Sequence, residues 1–210
     1  NPICGVRMPL VNSLAVSIRR GHEVWLEPKP DRQRGVIDFK LRLGPGRPQK
    51  GSIERSGATC LACGAAVPLA TVRSEAKAGR MGSQLLCTVA EGGSRHLYLE
   101  ADDQQLKASD VDRPEDVPET DLPRAALGFR VQGYGITHHW QLFTNRQLVA
   151  LTTFCDLVGE ARKQVIADGG TESYADALAT YLGLCIGRLA NRCSSQNFWN
   201  PNRDTVEQVF

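Results

Sequence analysis

The sequence predicts an α+β protein, with an antiparallel β half over residues 1–100, an acidic joining stretch over 101–124 and a half of long antiparallel helices over 125–210. Three observations predict it. Short apolar runs with period-2 alternation, punctuated by glycine turns, fill the first half. Helical apolar stripes with a capping signal fill the last. Between them, "ADDQQLKASDVDRPEDVPETDLPR" is too acidic and too rich in proline for either element and reads as a loop or linker.

The elements follow in order. "SLAVSI" and "EVWLE" flank "RRGH", which predicts a hairpin turning at Gly21. "VIDFKLRL" sets Val36, Asp38, Lys40 and Arg42 against Ile37, Phe39, Leu41 and Leu43, the pattern of a strand with one buried face. "GPGRPQKG" breaks the chain. "TVRSEAKAG" predicts a short helix ending at Gly79, and "QLLCTVAE" with "RHLYLE" around "GGS" predicts a second hairpin. In the last half, Thr144 and Gln147 of "TNRQ" form a capping box. Leu148, Leu151, Cys155, Val158 and Val165 mark one face of a helix running to about Ala167, where "DGG" stops it. A second helix begins near Glu172. Its stripe of Ala175, Leu178, Ala179, Leu182, Cys185, Ile186, Leu189, Ala190 and Cys193 is expected to bury itself against the preceding helix. "NPNRDTVEQVF" reads as a further helix being started and then cut, so both chain ends are expected to be boundaries within a longer protein.

No apolar run approaches the roughly 20 residues needed to span a bilayer, and the first residues carry no signal-peptide pattern. The seven cysteines are odd in number, and Cys155, Cys185 and Cys193 fall at expected core positions. That usage suits reduced thiols in a cytoplasmic protein rather than a disulfide framework. The net charge of +2 is unevenly spread: residues 1–100 hold 15 Lys and Arg against 8 Asp and Glu, whereas residues 101–124 hold 3 against 8. A basic first half is compatible with a polyanionic partner, or with a merely solvated face.

The cysteines also carry a repeat. "CGVRMPL" begins at Cys4 and "CGAAVPL" at Cys63, and the second copy is preceded at three residues by Cys60. Cys-x-x-Cys-Gly is the pattern of a zinc knuckle: a tight turn points two thiolates at one ion, and the glycine relieves crowding where backbone amides approach sulfur. Two such knuckles, each leading into a strand, make a zinc ribbon, so Cys4, Cys60 and Cys63 are the expected metal ligands. The first knuckle has Asn1 where the second has Cys60, and its missing cysteine is expected just upstream. With one of four ligands missing, the pattern does not decide occupancy by structural zinc. The rival, a redox cysteine pair, lacks the helix that should follow Cys63.

Other residues carry weaker signals. His138 and His139 are adjacent and point apart on an extended chain, so they chelate poorly and fit a loop or surface role. Trp140, Phe143 and Phe154 are expected in the core. Arg73, Lys77 and Arg80, around "VRSEAKAGRMG", are candidate phosphate contacts, with a solvated face as the plainer reading; Arg188 and Arg192 on the last helix stand likewise. "NFWNPNR" lacks the second proline and the aromatic residue of an Asn-Pro-Pro-Tyr motif. No catalytic or cofactor-binding constellation is present in the sequence.

Taken together, "CGVRMPL", "GATCLACGAAVPL", "AGRMGSQLLCTVAEG", "GFRVQGYGITHHWQLFTNRQLVALTTF" and "YLGLCIGRLANRCSSQNFWNP" resemble the middle region of zinc-ribbon-containing adenine-specific DNA methylases that carry an N-terminal domain of unknown function. The resemblance runs over nearly the whole chain. It implies a cofactor loop before this region and an Asp-Pro-Pro-Tyr motif after it, neither of which is in these residues. It therefore implies no catalytic residue here, only the ribbon thiols Cys4, Cys60 and Cys63, with a further cysteine ahead of Asn1. The implied parent is an S-adenosylmethionine-dependent N6-adenine methyltransferase acting on DNA, and this region would serve target recognition. The alternative is a structural or protein-interaction module that braces the methylase or contacts a partner of a defence system; exposed apolar surface on the final helices would favour it. A free-standing metal-dependent enzyme fits less well, because histidine or acidic ligands with an open coordination position are absent.

Overall fold

A computed structural model describes residues 1–93, 95–124 and 130–208. Ser94 of the expected "GGS" turn and Gly128 and Phe129 of the long aromatic phrase lie outside the described residues. The fold is α+β. The chain divides into two compact units: residues 1–107, 124–136 and 199–205 in the first, and 108–123, 137–198 and 206–210 in the second.

The first unit is built on strands β1 (Ala15–Ser17), β2 (Val24–Asp31) and β3 (Val36–Leu43), which form an antiparallel sheet in that order. The turn at Gly21, with φ of 77°, joins the first two as expected. β2 and β3 pair in unbroken register from Val24↔Leu43 to Asp31↔Val36. Two prolines inside β2 are tolerated for a geometric reason. Leu26 N donates to Leu14 O, so residues of its parity turn their nitrogens toward the β1 side. Pro28 and Pro30 share that parity but lie beyond the end of β1, on a free edge where no ladder bond is lost. Leu14, Val16, Val24 and Leu26 form the buried core, and Phe39, Leu41, Leu61, Val89 and Tyr98 pack against it. The last two come from the hairpin of β7 (Cys87–Gly92) and β8 (Arg95–Glu100), paired from Cys87↔Glu100 to Gly92↔Arg95.

A second small sheet contains β4 (Ile53–Glu54), β5 (Gly57–Thr59) and β6 (Ala66–Pro68), and runs into helix α1 (Leu69–Lys77). Ser52 ties it to the chain after Cys4. Its fully buried hydroxyl donates to Pro9 O at 2.6 Å and accepts from Val11 N at 2.9 Å. The two chain segments approach so closely there that a Cβ on Gly51 would lie 2.2 Å from Asn12 O. Helix α2 (Asp103–Ser109) occupies the start of the acidic stretch.

The further helix expected from "NPNRDTVEQVF" does not form. Strands β9 (Phe198–Asn200) and β10 (Thr205–Glu207) make a two-stranded sheet instead. Asp204 adopts a left-handed φ of 51°, which no helix propagates through, and Thr205 and Val206 are β-branched. Residues 199–205 are held on the β1 segment: Trp199 Nε1 donates to Val16 O, Ile18 N donates to Pro201 O, and the buried Asp204 carboxylate pairs with Arg19 Nε at 3.0 Å. The asparagines, proline and aspartate that read as helix-start signals serve a turn.

The second unit contains α3 (Asn145–Ala167) and α4 (Glu172–Ala190). The expected capping box forms: Thr144 Oγ1 accepts from Gln147 N, and Gln147 Oε1 accepts from Thr144 N. Gly169 and Gly170 close α3 by donating to Ile166 O and Val165 O. The short connection makes the helices antiparallel neighbours, and Arg162 bridges them to Asp176 at 2.6 Å. The burial expected of their stripes is largely absent. Only Leu148 on α3 and Ala175 on α4 are buried. Phe154, Cys155 and Cys185 are exposed, and Cys193 is half-buried. A stripe this wide exceeds the seam that one partner helix covers. Trp140 and Phe143 are half-buried, and Arg113 lies over the Trp140 ring. No helix among the described residues is long and apolar enough to cross a membrane.

Truncating Leu14 to Ala is expected to lower stability by about 2–5 kcal/mol, through the burial forfeited and the cavity left behind. The same change at exposed Leu184 should cost no more than about 0.5 kcal/mol. Urea midpoints at unchanged m value check both.

Candidate metal centre

Two turns build the site, and they match atom for atom. In the first, Gly5 N donates to Asn1 O at 2.9 Å; in the second, Gly64 N donates to Cys60 O at 2.8 Å. Asn1 N donates to Val6 O at 2.9 Å, and Cys60 N donates to Ala65 O at 2.9 Å. Gly5 and Gly64 adopt φ of 70° and 72°, left-handed values that residues with a Cβ rarely take. The shared Cys-Gly phrase is therefore one turn used twice.

Each turn is anchored to the first unit's sheets. The second is the connection between β5 and β6, and its Leu61 packs on the core. The first is fixed by Arg7 N, which donates to Gly35 O at the β2–β3 turn, and by Val6, which is 1% exposed. The turns bring three thiols together from positions 56 residues apart: Cys4 Sγ and Cys60 Sγ are 3.8 Å apart, and the sulfurs of Cys4, Cys60 and Cys63 all lie within 4.8 Å of one another. Among the described residues, this is the one group of three or more His, Cys, Asp or Glu side chains with such convergence. Tetrahedral zinc with bonds of about 2.3 Å places its sulfurs about 3.8 Å apart. The Cys4–Cys60 spacing and the soft, all-sulfur donor set thus suit a thiophilic cation such as zinc.

The electrostatics are asymmetric. Cys60 is buried, which by itself opposes ionisation and is the largest influence on it. Donors outweigh that burial and push its pKa down to about 7: the Asn1 carboxamide, the amides of Ala62 and Cys63, and the Cys63 thiol. At Cys4 the Val6 amide favours the thiolate, but burial and the neighbouring sulfurs of Cys63 and Cys60 outweigh it, and the pKa is raised. Cys87, in a plain apolar setting, is pushed up by burial. A cation at the site would favour every thiolate at once. Cys63 is exposed, so the cluster opens to solvent on one side.

Residue type alone does not mark Asn1 as a site residue, yet its carboxamide nitrogen donates to Cys63 Sγ at 3.3 Å, so it belongs to the cluster. The signal for it in the sequence is the alignment of "NPICG" on "CLACG".

The other candidates are placed elsewhere. Arg73 stacks over the Tyr134 ring at 5.5 Å, and Arg80 makes a two-pronged pair with Glu75 at 2.6 and 2.7 Å. Lys77 lies in the last turn of α1. Arg192 Nη1 donates to Val206 O. His138 reaches Asp121 at 3.3 Å, and His139 Nδ1 reaches Thr120 O at 2.9 Å, so the adjacent imidazoles serve separate partners.

Compared with known protein families, curated proteins and solved structures, the chain matches none. The chemistry of the site stands on its own geometry.

Reduced protein titrated with Co²⁺ is expected to bind one equivalent and to develop thiolate-to-metal charge-transfer absorption. Cys60→Ser should weaken that binding by about 100-fold or more, whereas Cys87→Ser should leave it unchanged.

Proposed function

We propose that the first unit is a metal-knit ribbon that serves target recognition in an adenine-specific DNA methyltransferase. One observation carries the ribbon: thiols of two matching knuckles, far apart in sequence, converge on a single point. A structural ion there replaces a large core, holding the two turns and the sheets behind them in one arrangement. The DNA role draws on the basic balance of residues 1–100, with 15 Lys and Arg against 8 Asp and Glu, and on the resemblance to the region between cofactor and catalytic motifs in such methylases. On this reading, zinc is structural, S-adenosylmethionine is bound by another part of the methylase, and the protein works in the cytoplasm. Lys77 and Arg73, on the exposed side of α1, are the first residues to test for binding to phosphates.

A second reading draws on the helices. Phe154, Leu157, Val158, Leu182, Cys185, Ile186 and Leu189 line an apolar groove of about 280 Å³. A face of this kind suits a module that braces the methylase by packing against the rest of its chain. Amide exchange over residues 154–189 that is slower in the whole methylase than in this 210-residue stretch would support this reading; equal exchange would remove it.

For the DNA role, the metal-loaded protein should bind duplex DNA with an affinity that falls as salt rises. Arg73→Ala with Lys77→Ala should flatten the log–log slope by about 0.9 for each phosphate no longer neutralised. Absence of duplex affinity at low salt would end that role while leaving the metal reading standing.

A further inference from the structure

Helices α3 and α4 share an apolar face that their own packing leaves open. On α3 it is the stripe Ala150, Phe154, Leu157 and Ala161, spaced by four, three and four residues. On α4 it is Leu178, Tyr181, Cys185 and Leu189, spaced by three, four and four. Such spacings keep to one side of a helix and make the seam along which a further helix packs. Both stripes lie on the same side of the helix pair, because Phe154 and Leu157 line one groove together with Cys185 and Leu189. Phe154 is 45% exposed, Leu157 47% and Tyr181 71%. Charge bounds the α3 stripe at both ends. Arg146 lies one turn before Ala150 and Glu160 one turn after Leu157, and the stripe between them carries no charge. The two exposed side chains stand at equal distances, about 10 Å along the axis, on either side of Thr153.

We propose that two copies of this chain pair through this face, α3 antiparallel to α3 of the second copy and α4 antiparallel to its α4, about a two-fold axis level with Thr153. That axis sets Arg146 against Glu160 of the second copy and Glu160 against its Arg146, so one face supplies both signs of each pair. The other two-fold choice, which lays α3 on α4 of the second copy, would set Arg146 beside Arg188 and Arg192, all of one sign. The Arg162–Asp176 bridge puts those two residues level, and Thr153 is by the same register level with Cys185. Cys185 therefore faces its own counterpart across the axis, and Arg188, one turn further on, reaches the Tyr181 ring of the second copy. Neighbouring helices then all run antiparallel, the up-down order of helix bundles. The exposed parts of these side chains amount to roughly 700 Å² per copy, so roughly 1,400 Å² in all, inside the roughly 1,200–2,000 Å² that a specific, stable interface buries. Neither the metal nor the DNA role bears on this pairing, which gives the groove an occupant other than the rest of the methylase.

Sedimentation equilibrium of the reduced 210-residue protein tests the pairing. The chain should dimerise reversibly. Arg146→Glu and Glu160→Arg should each raise the dimer Kd about 10-fold or more, by facing like charges across the axis. The double reversal should return it to within about 3-fold of the wild type. A short bismaleimide should join Cys185 to Cys185 of the second copy, and Cys185→Ser should abolish that peptide pair. A monomer at submillimolar concentration would overturn the pairing and leave the groove to the rest of the methylase. A dimer whose Kd ignores the single reversals, or is not rescued by the double, would overturn it too, since another face would then hold the copies together. Should a reversal variant fail to fold, the cross-link decides: Cys185 joined to Cys185 supports the pairing, and cross-links confined to other cysteines overturn it.

Discussion

The constraint on which the first unit depends is that two short turns must present their sulfurs to one point. Each turn needs a left-handed residue after its last cysteine, and Gly5 and Gly64 supply it at nearly the same φ. Each also needs a rigid support, because a knuckle held by its own hydrogen bonds alone does not fix where it points. The β5–β6 connection supports the second. The β2–β3 turn, through Arg7 and Gly35, supports the first. The buried hydroxyl of Ser52 then couples the extended segment after the first knuckle to the sheet that carries the second. The small sheets are modest cores taken singly; their common task is to hold the two turns in register. A cation at the sulfurs would add the restraint that small β structures otherwise draw from a larger core.

The asymmetry within the cluster has a chemical meaning. Cys60 lies deepest and is the thiol most surrounded by donors, so it is already inclined to ionise. Cys4, crowded by the sulfurs of Cys63 and Cys60, is not. A cation at the sulfurs would favour both thiolates at once. The carboxamide of Asn1 favours the thiolate by donating to Cys63 sulfur.

The second unit follows a different logic. Its helices are sharply bounded by Thr144 and Thr171 at their starts and by glycines at the end of α3, so local chemistry decides their lengths. What they pack against is decided less completely. One seam between two helices leaves Leu184 and Tyr181 largely exposed, along with the groove that runs from Phe154 to Leu189. The acidic segment from Val111 to Leu122 is tied down within the same unit through Asn145, His138 and His139.

Local signals made much of this legible. Alternation in "VIDFKLRL", the glycine turn at Gly21, the Thr144–Gln147 box and the stop at Gly169 each act over a few residues, so the order of residues alone determined those elements and the α+β class. The Cys-Gly repeat likewise identified the three sulfurs, since a knuckle is a local turn. Other features needed the tertiary structure. The 199–205 segment is a docked turn because Val16, Ile18 and Arg19, far earlier in the chain, offer it partners, and no local window contains both sides of those bonds. Apolar periodicity named the faces of α3 and α4, but burial is a property of what lies opposite, so Cys155, Cys185 and Phe154 fell outside the core. Asn1 joined the site for the same reason: its residue type names no metal chemistry, and only the superposed geometry of two distant turns puts its carboxamide among the sulfurs.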